Sequence, residues 1–589
     1  GSQVELPPEY AGGQVARGAR AGMFGNLDMM DLPFVSTAYT AEFVANLQAK
    51  GAGDVLASDP AVRVARGFGN FQDVYFIRGF NTFSDDMTYN GIYGILPRQF
   101  VAAEFLERVE VFRGASSFVN GAAPGGSSIG GMVNMVPKRA TEESLTRGTL
   151  GYEQDGSAYF ALDMGRRVGA DGAHGIRFNA AYRDGESSID NQDRNLTVLS
   201  LGYDFSTDRF KLSADIGYQD HKLDDPRPSV TPGGGIASPP DAGSNFAQPW
   251  TESKEKQLFG VARGEYDITD SVTAWAAIGG RSSEEYNDLA NPTAAPDGST
   301  NSFRFVNYRE DEIISADTGI RFDFNTGTIG HRVIASYSDY SSDSKNAFDF
   351  FFDAIASNLY NPVASPPPMG ASFPGGDLNN PLTTSKIDTQ SWAIADIISF
   401  MDDRLQLTIG ARDQNIKNQA FDFNTGALAS RYDESETTPV GAIVFKINDG
   451  LSAYANYAEA LVPGQTAPLT FNGMPVENGG QVFPPFVSEQ FEVGLKFDRG
   501  TLGGNLSYFH IEQPTGIIID NVFSDDGRRE HNGLEFTIFG EPAEGIRIVG
   551  GLTYIDAELT RTQDGLFDGN TATGVPDLLA NLNFEWDIA

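Results

Sequence analysis

The sequence predicts a membrane all-β fold: a large antiparallel transmembrane β-barrel whose lumen is filled by a small N-terminal α+β unit. Three observations predict it. From about Leu145 onward, apolar and polar residues alternate almost without interruption. The connectors between alternating segments are short and long by turns, as expected for the two ends of a barrel. Before Leu145 the pattern is mixed, and it closes on the glycine-rich stretch EFLERVEVFRGASSFVNGAAPGGSSIGGMVNMVPKRA at 104–140.

Within the N-terminal unit, TAEFVANLQAKGAGDVLASDPAV (40–62) reads as two short helices, with Thr40 capping the first and Gly51 and Gly53 separating them. DVYFIRGF (73–80), MTYNGIY (87–93) and RVEVFRG (108–114) each read as one short strand rich in β-branched and aromatic residues. The unit ends near Ala140, giving two domains, 1–140 and 141–589.

In RFKLSADIGYQD (209–220), Phe210, Leu212, Ala214, Ile216 and Tyr218 share one face, and Lys211, Ser213, Asp215, Gly217 and Gln219 the other. RLQLTIGARDQ (404–414) repeats the scheme. About eighteen or nineteen such segments occur, each near the length of nine to eleven residues that crosses a bilayer at a tilt. Short turns are read at 206–208, 269–270, 325–328, 402–404, 448–450 and 498–500. Long loops are read at 221–256, 341–385 and 461–486. Tyrosines and phenylalanines near segment ends suit aromatic girdles.

Composition narrows the function classes. The 589 residues include no cysteine, which excludes disulfides and thiolate metal sites. Asp and Glu number 79 against 42 Lys and Arg, a net charge of −37, so nucleic acid is not an expected partner. The five histidines are scattered without zinc spacing, and no GxSxG or phosphate-binding motif appears, so neither a metal site, a cofactor nor an enzyme is expected. Asp85-Asp86, Asp224-Asp225 and the single carboxylate Asp343 could hold Ca²⁺, but such residues more often read as solvated turns.

IRGF (77–80), NG (90–91) and LERVEVFRGASSFVNGAAPGG (106–126), followed by GGMVNMVPKRA (130–140), resemble the plug domain of TonB-dependent receptors. YANYAEALVPG (454–464), SEQFEVGLKFD (488–498), HNGLEFTIFGEP (531–542) and GVPDLLANLNFEWD (574–587) resemble barrel segments of the ferric-siderophore branch, the ferrichrome receptors in particular. The resemblance implies uptake of a ferric siderophore, hydroxamate type favoured, across the bacterial outer membrane. The alternative it leaves is another scarce solute, such as a metal chelate, saccharide or aromatic acid. It implies TonB with ExbB and ExbD as partners, lipopolysaccharide around the barrel, and a monomer. It implies a plug–barrel lock of two arginines and two glutamates, at Arg78, Arg113, Glu492 and Glu535. It implies a ligand site on plug apices at Arg66, Phe83, Ser84, Tyr93, Leu96, Arg98 and Gln99, with Trp250 and, more weakly, Tyr286, Phe351, Phe352 and Tyr360 from barrel loops. Barrels of this family have 22 strands; laid on that pattern, the chain ending EWDIA stops about four strands short. No TonB box is recognised before Leu6, which places it upstream or leaves this form uncoupled from TonB.

Overall fold

The computed structural model describes residues 5–66, 69, 71–153 and 156–588. Strands from Leu145–Tyr152 to Leu578–Trp586 form one sheet of 22 strands in sequence order. Among the described residues, eighteen of these are long; the other four, Thr231–Pro232, Thr293–Ala294, Ser372–Gly375 and Asn570–Thr571, have two to four residues and belong to the long loops. The short turns fall where the sequence places them, as at Thr326/Ile329 and Asn448/Leu451. The plug lies inside the curve of the sheet.

Alternation assigns the faces. Ile314, Trp392, Ile394 and Phe491 are exposed, while their chain neighbours point inward and are buried. Along the strand Ser299–Thr326, exposed apolar residues run from Phe324 up to Ile314. At ~3.3 Å per residue and a ~40° tilt that is roughly 25 Å, the height of a bilayer's apolar band. Above it the outward positions turn polar, beginning with Glu312. The strands nevertheless continue. Ser299–Thr326 has 28 residues and Ile329–Asn358 has 30, so much of the segment read as a loop at 341–385 is extended wall. Above the membrane both faces meet water or loops, so the apolar contrast that marks a strand in sequence disappears while the ladder hydrogen bonds persist.

The plug carries a five-stranded sheet, in the order Val35–Thr40, Leu106–Arg113, Gly131–Pro137, Thr88–Tyr89, Ile92–Tyr93. A three-stranded sheet, Val62–Arg66, Val74–Ile77 and Phe80–Phe83, stands beside it. The two helices form at Ala41–Asn46 and Ala52–Leu56, and the Thr40 hydroxyl accepts the Phe43 amide at 3.2 Å as the first helix's cap.

Two segments read as single strands are hairpins instead. Arg78-Gly79 and Asn90-Gly91 all have positive φ, making two-residue turns that reverse the chain inside 73–80 and 87–93. The NG dipeptide carried that signal; RG is a weaker one, because arginine in the left-handed region is held by its surroundings. In the glycine-rich stretch, a side chain on Gly130 would overlap the Ile77 carbonyl, so the two plug sheets approach there only because the position is glycine. We predict that Thr40→Ala lowers the urea stability of the plug by about 1 kcal/mol, read as an earlier plug transition with an unchanged barrel transition.

Candidate functional site

The Arg78 guanidinium sits at the plug–barrel boundary with no solvent exposure. Its Nε and Nη2 donate to the two carboxylate oxygens of Glu535 at 2.8 and 2.7 Å, and Nη1 pairs with Glu492. The Phe509 ring lies 4.0 Å beneath it, and the Tyr454 hydroxyl donates to Glu492 at 2.6 Å. The turn geometry aims Arg78 at the wall, and the strands Phe486–Asp498 and Val522–Ala543 present both glutamates to it.

Two wall residues missed in the sequence complete the grip. His531 shares a hydrogen bond of 2.8 Å between its Nδ1 and the Arg78 carbonyl, and its ring stacks on Phe80 at 4.0 Å. Arg529 donates to the Gly79 carbonyl at 2.7 Å. A residue larger than glycine at 79 would run into the His531 ring. The sequence signal was the alternation Arg529, His531, Gly533, Glu535 on one strand face.

Arg113 makes no direct ion pair with either glutamate, although its charge reaches Glu535. It donates to Asp59 at 2.5 Å within the plug, and Asp59 also accepts from the Tyr39 hydroxyl and the Ala61 amide, each at 2.9 Å. The reason is topological. Arg113 ends a strand flanked on both sides by plug strands, so the nearest buried carboxylate is the plug's own. The implied symmetry of two arginines and two glutamates becomes one arginine shared by two glutamates.

A second polar cluster joins plug and wall in another sector. Gln99 donates to Glu285 at 2.7 Å, and its amide donates to Glu255 at 3.3 Å. Arg98 lies 3.4 Å from Glu285, and Gln219 bonds both the Phe100 carbonyl and Glu255. A third contact is Lys496, whose ammonium donates to the carbonyls of Met29, Leu32 and Phe34.

These contacts decide which expected ligand positions remain accessible. Tyr93, Leu96 and Gln99 are buried, Gln99 completely, because the chain after the Asn90-Gly91 turn folds back against the wall. Ser84 is also buried and bonds the Arg98 carbonyl. Arg98 is buried and donates to Gln72 at 2.6 Å. Arg66 and Phe83 keep partial exposure. Trp250, Tyr286 and Phe351 belong elsewhere. Glu285 points at the plug, so Tyr286 points away from it. Arg304 packs between Trp250 and Phe351 at 5.4 and 4.8 Å, bordering a cleft of about 600 Å³ on the outer side of the wall. Phe352 is exposed, and Tyr360 donates to the Ser238 carbonyl at 2.9 Å. Asp86, read as solvated, is buried and accepts the Gly125 and Ser127 amides at 2.6 and 3.1 Å.

Residues 139–589 match the family described as TonB dependent receptor-like, beta-barrel, and residues 28–127 match the TonB-dependent Receptor Plug Domain. The chain belongs to the TonB-dependent receptor family. The receptor is 37% identical over 590 residues to the ferrichrome receptor FcuA of Yersinia enterocolitica, covering 99% of this chain and 77% of that one. It is 23% identical to the ferrichrome outer membrane transporter/phage receptor of Escherichia coli, covering 98% and 80%. Its structure is similar to that of BauA, the ferric preacinetobactin receptor of Acinetobacter baumannii, with a TM-score of 0.91, 33% identity and coverage of 99% and 87%. The receptor is an outer-membrane protein.

Two predictions follow from this geometry. Arg78→Ala leaves Glu492 and Glu535 buried without their cation and should cost the plug about 3–5 kcal/mol. The readouts are an earlier plug transition in urea and higher conductance in planar bilayers; unchanged values in both would show that Arg78 does not hold the plug. The second concerns pH. Burial pushes the Asp73 carboxyl up to about 7, against the opposing hydrogen bond from Tyr75 and the charges of Arg194 and Arg66. An acid whose folded pKa is raised favours its protonated form, so the contribution to stability is full below about pH 4 and lost as pH rises to about 7. Asp73→Asn should flatten the pH dependence of plug unfolding across that window and stabilise the plug at neutral pH.

Proposed function

We propose that the receptor imports a ferric siderophore across the outer membrane, with hydroxamate chelates favoured, by TonB-driven displacement of the plug. The observation that carries this reading is a wide barrel closed by a plug whose charged contacts to the wall are buried, in a chain similar along almost its whole length to a ferrichrome receptor. A permanently closed lumen has no use as a passive pore, so the plug must be movable by an outside force.

In this reading Arg78, Glu492 and Glu535 are the lock, supported by their burial and bidentate geometry. Arg113 acts indirectly, by fixing the plug core through Asp59. Arg66 and Phe83 are the favoured ligand contacts, since they retain exposure and offer a cation and an aromatic face to a chelate's oxygens and organic backbone. Arg98, Ser84, Tyr93, Leu96 and Gln99 set the shape of the apices. TonB, driven by ExbB and ExbD, would pull on the plug from its N-terminal side; the segment from Glu5 to Asp31 runs along the short-turn end, tied to Lys211, Asp498 and Lys446. Lipopolysaccharide would surround the strands that rise above the apolar band. A monomer suffices, since each barrel holds its own plug.

Tryptophan fluorescence of the detergent-solubilised receptor tests the reading. The titrants are ferric hydroxamates, ferric catecholates, iron-free chelators and sugars. A ferric hydroxamate should give saturable quenching below micromolar concentration. Arg66→Ala should weaken it by about tenfold, or 1.4 kcal/mol, whereas Gln99→Ala should lower plug stability and leave the affinity alone. Flat responses to every iron chelate would overturn the siderophore reading.

A further inference from the structure

The outward face of the wall carries a cleft that import through the lumen does not use. Phe305 meets Phe71 of the plug at 5.8 Å, so its chain neighbour Arg304 faces away from the lumen. With Tyr286, Tyr308, Glu310, Asp349 and Phe351, Arg304 bounds a space of about 600 Å³, and Met369 and Leu378 of a surface loop close one side. That volume lies within the ~300–1,000 Å³ of small-molecule sites. The loop is fixed in place. The Trp250 Nε1 donates to the Ser365 carbonyl at 2.9 Å, and the Arg304 Nη1 donates to the Pro368 carbonyl at 2.9 Å.

Height sets what lies beside the cleft. The outward apolar run on Ser299–Thr326 ends at Ile314, and Tyr308 and Arg304 lie six and ten residues beyond it. At ~3.3 Å per residue and a ~40° tilt, they stand roughly 15 and 25 Å above the hydrocarbon. The headgroup layer on one side of a bilayer is only ~5–8 Å deep. The cleft therefore stands above the lipid phosphates, at the level of the sugars that an outer leaflet of lipopolysaccharide projects.

The side chains set what fits. Tyr286 and Tyr308 are directly opposed on adjacent strands, so their rings form one aromatic surface. The cations around them are engaged. The Arg304 Nε and Nη2 donate to the Asp288 carboxylate at 3.0 and 2.8 Å, Lys345 pairs with Glu310 at 3.5 Å, and Lys254 pairs with Glu252 at 2.9 Å. Asp349, by contrast, has a buried Oδ1 with no hydrogen-bond partner among the described residues. Such an oxygen is destabilising unless a donor reaches it. Aromatic faces attract C–H groups, and carboxylates accept from hydroxyls. An uncharged sugar ring meets both demands, with its C–H face on the tyrosines and a hydroxyl donating to Asp349. An anion would be repelled by Asp349 and Glu310.

We propose that this cleft binds uncharged sugar units of the lipopolysaccharide core in the receptor's own membrane. The proposal rests on the reading that lipopolysaccharide surrounds the upper strands, and it is independent of which solute is imported.

The test uses the receptor in detergent, freed of bound lipid. Three ligands are compared: full-core lipopolysaccharide, deep-rough lipopolysaccharide that keeps its phosphates but lacks the outer sugars, and dephosphorylated core oligosaccharide without lipid. Saturation-transfer NMR reads contact between aromatic protons and sugar C–H groups, and its titration gives the affinity. The dephosphorylated oligosaccharide should bind saturably. Tyr308→Ala and Asp349→Asn should each weaken it by about tenfold; the second is nearly isosteric and keeps the fold. Both variants should leave quenching by a ferric hydroxamate unchanged, since both side chains face away from the lumen. Absence of oligosaccharide binding, or equal binding by both variants and the parent, would overturn the site. Equal affinity for full-core and deep-rough lipopolysaccharide would overturn it while leaving the lipopolysaccharide surroundings intact. Failure to hold either would remove those surroundings and the site with them.

Discussion

One guanidinium sets the arrangement of plug and barrel. Arg78 is the point where the plug's outer turn meets two glutamates from non-adjacent wall strands, away from water. A cation in that position is tolerable only with carboxylates in contact, and the carboxylates only with the cation. With the contacts of Gln99, Lys496 and Arg412, the pair registers the plug against the wall. The left-handed conformation of Arg78, the close approach of Gly79 to His531 and the stacking of Phe80 on the same ring are consequences of holding that position.

Seen around the barrel, the plug is held by chemistry of unequal strength. Ion pairs join it to the wall through Lys50 and Glu153, Glu104 and Arg183, Arg98 and Glu285, Asp31 and Lys446, and Arg78 with Glu492 and Glu535, whereas Ser338, Ser391 and the carbonyl-bound Arg412 meet it along Ile329–Asn358, Thr383–Phe400 and Leu405–Phe421.

The sequence made much of the frame legible. Alternation in RFKLSADIGYQD gave both faces of a wall strand because each face meets a different solvent, lipid on one side and the plug on the other. Turn residues at 325–328 and 448–450 marked one rim, and Thr40 marked a helix start, because these signals are local. The hairpin at Asn90-Gly91 was visible in its dipeptide. The height of the extracellular wall was not, since above the lipid band neither face is apolar and the ladder leaves no periodic trace.

By itself, then, the sequence determined the barrel class and marked four buried ionisable residues, Arg78, Arg113, Glu492 and Glu535, but not others such as Asp59, Asp86 and Lys496. It did not determine how they pair. Arg113 takes Asp59 rather than a wall glutamate, Arg78 takes two, and Gln99 disappears against Glu285 instead of facing a ligand. Those partners lie up to several hundred residues apart. Their meeting depends on how the plug is rotated and seated within the wall, a rigid-body relation that no local period of side chains records and that only the packed tertiary structure decides.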